Sequence, residues 1–247
     1  MTSVIELHSV SKKYAKSTRF SLEDISFSIK KGEKLGVFGP NGAGKTTLMS
    51  ILCRIISETT GEVTYSDGNK NISNKAFLHT IGYVPQDFSF YPELSPYQNL
   101  RYFGTLYAIP KIELNTRIEE LLSVLGLHHV MHKKIETFSG GMKRRVNLAI
   151  GIINNPSILF LDEPTVGVDV QSKNAIMAYL EELNKKGTTI IYTSHHMNEA
   201  EEFCDTIVLL DQGKLIVHDD LKSLIKQYNS TDLQALFLQL TGIEYRD

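Results

Sequence analysis

The chain has 247 residues, 42% hydrophobic and 22% charged, with a formal net charge of −2. That balance supports a packed core and excludes disordered and fibrous architectures, and the near-neutral charge argues against a surface built mainly to hold nucleic acid. The opening MTSVIELHSV lacks the basic start and apolar stretch of a secretory signal, and the apolar runs SILFL and IVLL are far shorter than the roughly 20 residues of a spanning helix. Cytoplasmic residence is therefore expected, and any membrane role must come through a partner.

In chain order, residues 4–10 and 20–29 alternate apolar and polar side chains as strands do, and KLGVFG, 34–39, reads as a compact strand ending in glycine. TLMSILCRII then has the near-continuous apolar character of a packed helix. Residues 95–132 carry apolar side chains three and four apart and predict a helical subdomain. SILFLDE and TTIIYTS read as buried strands separated by a helix from about Ser172 to Lys186, the alternation of a parallel α/β sheet. TIVLLDQGKLIVHD, turning at Asp211, Gln212 and Gly213, predicts a hairpin that makes one sheet edge mixed. Helical patterning resumes at about Leu221 and continues to the end. Cys53 and Cys204 fall in segments that read as helices and are expected to be buried thiols.

Three segments carry chemistry. Gly39-Pro40-Asn41-Gly42-Ala43-Gly44-Lys45-Thr46 fits G-x-x-x-x-G-K-[ST] and lies between a predicted strand and a predicted helix, as a phosphate loop requires. Glycines let the backbone N–H groups approach phosphate at the positive end of the following helix. Lys45 would reach the β and γ phosphates, and the Thr46 hydroxyl would face magnesium. ATP and Mg2+ are the expected ligands. Asp162 and Glu163 end the apolar run ILFL. A buried acidic pair is costly unless something uses it, and adjacent strand residues point to opposite faces, so Asp162 is assigned to magnesium and Glu163 to the base that takes a proton from water. Ser139-Gly140-Gly141-Met142 precedes the helix KRRVNLAIGII and offers either an anion-binding helix start or an ordinary serine cap.

Together these motifs resemble the nucleotide-binding subunit of an ABC transporter over nearly the whole chain. GPNGAGKTT, including Thr47, is similar to Walker A; ILFLDEP to Walker B with its catalytic glutamate; FSGGM to the family signature LSGGQ. The resemblance implies an α/β P-loop NTPase with a RecA-like core, an N-terminal antiparallel β subdomain and a helical subdomain at about 88–152. The ATP-binding domain would span 1–225, followed by a short helical extension over 226–247. It further implies that Gln86 in YVPQ is the Q-loop residue, a catalytic residue and metal ligand, that Asp169 in GVD is the D-loop residue, and that His195 in TSHHMNEAE is the switch histidine. Tyr14 would be the aromatic residue that stacks on adenine.

In the family the signature of one subunit closes over ATP held by another. The implied partners are therefore a second ATP-binding subunit, expected to be a copy of this chain, and membrane-spanning permease subunits that hold the protein at the inner face of the cell membrane. Phe138 and Met142 depart from the usual Leu and Gln of the signature, and Met there resembles the branch that exports drugs, antibiotics or cell-surface material. The expected activity is Mg-dependent ATP hydrolysis that energises export. The alternative is a soluble ABC-type ATPase acting on nucleic acid or ribosomes, but the chain has neither a long coiled coil between the Walker motifs nor a second motif set. Two further clusters favour bland readings. The pair His128 and His132, four apart beside His129, suits a solvated helix end better than a metal site, and the run Lys143, Arg144 and Arg145 a solvated helix face or a helper near phosphate.

Overall fold

The computed structural model describes residues 2–67, 70–194 and 197–242. They form two compact units, one drawn from the chain up to Leu78 and from Thr189 onward, the other spanning His79–Thr188. The first begins with β1 (Ser3–Lys12), β2 (Leu22–Lys30), β3 (Lys34–Phe38), α1 (Lys45–Leu52), β4 (Thr60–Asp67), β5 (Lys70–Asn71) and α2 (Asn74–Thr80). The second contains β6 (Ile81–Val84), α3 (Pro96–Leu106), α4 (Lys111–Val124), α5 (Gly140–Gly151), β7 (Ile158–Asp162) and α6 (Val170–Lys185). The chain then returns to the first unit with β8 (Thr189–Thr193), α7 (Met197–Phe203), β9 (Thr206–Asp211), β10 (Lys214–Asp220), α8 (Leu221–Gln227) and α9 (Leu233–Thr241).

In the first unit β1 lies between β2 and β4, antiparallel to both. Its register sets Ile5 opposite Ile29 and Tyr65, and Leu7 opposite Phe27 and Val63, all buried. One face of this antiparallel subdomain is thereby covered with apolar side chains, as the alternating sequence predicts. β3 runs parallel to both β8 and β9 and is apolar almost throughout, because a central parallel strand is covered on both faces. β10 returns antiparallel along β9 through Gln212 and Gly213, both with positive φ, the backbone of a tight hairpin turn. The mixed edge is as expected.

Within the second unit β6 and β7 are parallel, with Val84 opposite Leu161. α3 starts at a reciprocal cap: the Ser95 hydroxyl accepts from the Gln98 N–H at 3.2 Å, and the Gln98 side chain accepts from the Ser95 N–H at 2.9 Å. The Arg145 guanidinium donates to the Leu125 carbonyl at the end of α4, at 2.8 Å, tying α4 to α5.

Several expectations are refined. The helix after the phosphate loop stops at Leu52, before the positive φ of Arg54, short of the full apolar run. The polar stretch between α1 and Gln86 hides β4, β5, α2 and β6. The patterning from Leu221 is broken between α8 and α9. His128–Val130 is a single 3-10 turn, so His128 and His132 share no α-helical face, and the His132 ring packs instead 5.4 Å from that of Tyr97. Both cysteines are buried, Cys53 as the C-cap of α1 and Cys204 just beyond α7. Among the described residues no helix is long and apolar enough to cross a membrane.

Ser95→Ala removes one half of the α3 cap and is expected to cost about 1 kcal/mol of stability. Urea unfolding monitored by circular dichroism measures it, and an unchanged midpoint would mean that the cap contributes nothing.

Candidate functional site

In the first unit the phosphate loop is framed by its neighbours. Gly39 has φ 151°, and a Cβ there would lie 2.2 Å from the Leu210 carbonyl oxygen, so only glycine fits against β9. The Ala43 carbonyl accepts from the Gly213 N–H in the hairpin turn at 3.0 Å, which fixes the far side of the loop. Gly44 is the N-cap of α1, and Lys45 and Thr46 form its first turn. Lys45 is buried, and its Nζ donates to the carbonyls of Gly39 at 2.7 Å and Pro40 at 3.3 Å. The ammonium is thus held over the loop, where phosphate oxygens would be its natural competing partners. Asn41, Gly42 and Thr46 are exposed. Tyr14 is 44% exposed, and its hydroxyl lies 3.4 Å from the Thr47 hydroxyl, which places an aromatic face beside the start of α1.

The second unit gathers the other candidates. Asp162 ends β7 and Glu163 follows it, each only 5% exposed. Glu163 lies beyond the strand with φ 50°, so the alternating-face argument does not apply to it; its left-handed backbone, rare outside glycine, aims the carboxylate instead. The parallel pairing of β6 and β7 ends at Val84 and Leu161, two residues before Gln86 and Glu163 respectively. The Gln86 Nε2 donates to the Glu163 Oε2 at 2.8 Å.

Ser139 is the N-cap of α5, its hydroxyl accepting from the Met142 N–H at 3.3 Å, and both Ser139 and Gly140 are exposed. Gly141 is buried, because a Cβ there would meet the Ser172 hydroxyl at 2.4 Å and the Asp169 carboxylate at 2.7 Å. Phe138 is buried in the same unit and substitutes for leucine as an apolar anchor. Asp169 caps α6, accepting from the Ser172 N–H and the Ser172 hydroxyl, each at 2.8 Å. The Ser172 backbone bond first and its hydroxyl second hold the Asp169 carboxyl below the usual carboxylate range.

Two residues of α5 have surroundings that the sequence does not reveal. Arg144 is only 6% exposed, so the basic run is not a solvated face at this position. It donates to the Gln86 carbonyl at 2.6 Å and the Val166 carbonyl at 3.3 Å. Burial pulls its pKa down, and the charges of Glu163 and Asp87 pull it back up. Asn147 is 1% exposed and bonded on both sides of Gln86. The available signal was a lone amide within the apolar run VNLAIGII.

Thr46 and Asp162 offer hard oxygen donors, and Gln86 adds an amide, the chemistry magnesium prefers. Among the described residues no three His, Cys, Asp or Glu side chains gather as a metal site of their own. His195 lies outside the described residues.

Comparison with known proteins adds four findings. The family model described as ABC transporter matches residues 22–166. The linearmycin resistance ATP-binding protein LnrL of Bacillus subtilis (strain 168) is 42% identical over 216 residues, covering 86% of this chain and 68% of its own length. Among solved structures, an ATP-binding subunit of an ABC transporter superposes with a TM-score of 0.86 at 25% identity, over 97% of this chain and 100% of its own. A dimeric post-hydrolysis state of the ATP-binding cassette MJ0796 bound to ADP and Pi gives 0.78 at 29% identity, over 88% and 98%.

Because its folded pKa is depressed, the Asp169 cap stabilises α6 above the unfolded carboxylate value of about 3.9 and loses that contribution as pH falls through the lower folded value. Carboxyl NMR titration is expected to show an Asp169 midpoint below 3.9, and Ser172→Ala to raise it. A midpoint at or above the free value would remove the capping account.

Proposed function

The chain belongs to the ABC transporter family as an ATP-binding subunit that hydrolyses ATP to energise transport, and on that premise we propose that it drives export through separate permease subunits, with Glu163 as the base. The observation that carries the catalytic assignment is the Glu163 carboxylate, buried beyond β7 and held at 2.8 Å by the Gln86 amide. Export is supported by the likeness to LnrL, whose name is that of a resistance protein, and by Met142 in the signature position.

Phosphoryl transfer to water needs positioning and charge neutralisation more than covalent chemistry. The loop from Gly39 to Thr46, with Thr47, presents backbone N–H groups and the Lys45 ammonium to the β and γ phosphates. Tyr14 stacks on the adenine. Thr46, Asp162 and Gln86 would hold magnesium, which supplies charge neutralisation across the phosphates when bound. Glu163 accepts the proton of the attacking water, and Gln86 fixes the orientation of that carboxylate. His195 is assigned to sensing the γ-phosphate.

Ser139, Gly140 and Gly141 then act on the nucleotide held by a second copy, with α5 pointing its N-terminal end at the γ-phosphate, and Asp169 contributes at the contact between copies. The ATP-bearing dimer is tight because the nucleotide touches both surfaces, and hydrolysis removes that link. The homodimer sits at the inner face of the membrane through its permease partners.

Glu163→Gln is expected to keep ATP affinity while lowering kcat by about a thousandfold, as loss of a positioned base does, and to accumulate the ATP-bound dimer. Steady-state phosphate release and light scattering measure the two effects, and unchanged turnover would remove Glu163 as the base. Lys45→Ala, by contrast, is expected to weaken nucleotide binding itself by about tenfold or more. Calorimetric titration with a non-hydrolysable analogue checks this, parental affinity being the contrary result.

A further inference from the structure

The helix that begins with Ser139, Gly140 and Gly141 also grips the segment after β6. Asn147 accepts from the Ser89 N–H at 3.0 Å and donates through Nδ2 to the Pro85 carbonyl at 3.0 Å, so a single amide holds the chain on both sides of Gln86. One helical turn earlier, Arg144 donates to the Gln86 carbonyl at 2.6 Å and to the Val166 carbonyl at 3.3 Å. Its guanidinium also lies over the Phe88 ring, 4.9 Å from the centroid. Val166 follows Glu163 closely and donates its N–H to the Glu163 carbonyl at 3.4 Å. α5 is therefore bonded to the loops that carry both partners of the Gln86–Glu163 hydrogen bond.

We propose that Arg144 and Asn147 are positioning residues for ATP hydrolysis, clamping the 85–89 loop to the helix of the Ser-Gly-Gly segment so that a shift of that helix is passed through Gln86 to the Glu163 carboxylate. The inference rests on the reading of Glu163 as base and Gln86 as its orienting partner. Neither Arg144 nor Asn147 is placed against the reacting atoms; both act through the loop they hold.

Chemistry selects these side chains. Asn147 uses one acceptor and one donor at the same time, a combination that neither Asp nor Leu provides. The planar guanidinium of Arg144 spans two carbonyls in divergent loops and stacks on a ring, which a lysine ammonium does not reproduce. Core stability alone gives no reason for either, since an apolar side chain fills buried volume without the desolvation that a guanidinium and an amide suffer. The Arg144 Nε is buried without a hydrogen-bond partner among the described residues, so the arginine is retained despite incomplete satisfaction. Geometry is what the arrangement supplies, and displacement of a catalytic group by about 1 Å is enough to cost about a hundredfold in rate.

The test measures steady-state ATP turnover of the 247-residue chain for Asn147→Ala, Asn147→Asp, Arg144→Lys, Gln86→Ala and the Asn147→Ala/Gln86→Ala pair, together with amide hydrogen exchange at Ser89. Asn147→Ala is expected to lower kcat about tenfold with KM for ATP within about twofold of the parent, and to speed exchange at Ser89. Asn147→Asp keeps the acceptor for Ser89 but sets a buried carboxylate against the Pro85 carbonyl in place of the donor, so its kcat should fall as well; Arg144→Lys reports on the clamp if neither Asn147 variant folds. Arg144→Lys is expected to lower kcat in the same sense. The paired variant should be no slower than Gln86→Ala alone, because both changes act through one group.

Parental kcat in both Asn147 variants, or losses that multiply in the pair, would overturn the clamp. Parental kcat in Gln86→Ala would overturn the proposal through its premise. The two failures are separable, because in the first Gln86→Ala still lowers kcat and in the second it does not.

Discussion

Glu163 and its neighbour Asp162 are carboxylates withdrawn from water at the end of an apolar strand, and buried charge of this kind persists only where other groups answer it. Much of the second unit is arranged to do so for Glu163. β6 and β7 run parallel up to the two loops that carry Gln86 and Glu163, Glu163 has a left-handed backbone, and the Gln86 amide donates to its carboxylate. Arg144 adds a positive charge whose electrostatic coupling to Glu163 opposes the effect of its own burial.

The phosphate loop solves the opposite problem, holding positive charge and backbone donors ready for an anion. Gly39 packs directly on the Leu210 carbonyl and Ala43 is bonded to the β9–β10 turn, so the loop is supported from outside rather than by its own sequence. Lys45 meanwhile rests on the carbonyls of Gly39 and Pro40. Charged oxygens accept stronger hydrogen bonds from an ammonium than neutral carbonyls do, so under the proposed function phosphate would displace these carbonyls as its partner.

α5 connects these themes. Its first turn holds the exposed Ser139 and Gly140, its middle is bonded to the Gln86 loop, and Arg145 ties it to the end of α4. Gly141 packs against Asp169 and Ser172 at the start of α6. Asp169, expected from family resemblance to serve a subunit contact, is also committed to capping α6 through both of its oxygens. A helix bonded along its length to the elements around it is suited to move as one piece, the mechanical property that the proposed communication with the Glu163 carboxylate requires.

The phosphate loop, the apolar strands around it, the β9–β10 hairpin and the acidic pair were legible in the sequence, because each is specified by residues adjacent or nearly adjacent in the chain. Family resemblance located Gln86, Asp169 and Tyr14, which local pattern alone does not single out. Tertiary structure alone decided that Arg144 is buried, that Asn147 straddles Gln86, and that Glu163 leaves the strand in a left-handed conformation. Periodicity reports which face of an element is apolar; it carries no information about hydrogen bonds between residues 58 or 77 positions apart, as Arg144 to Gln86 and Gln86 to Glu163 are. Those pairings exist only once β6, β7 and α5 have packed, since packing buries Arg144 against the Gln86 carbonyl and sets the Gln86 amide against the Glu163 carboxylate.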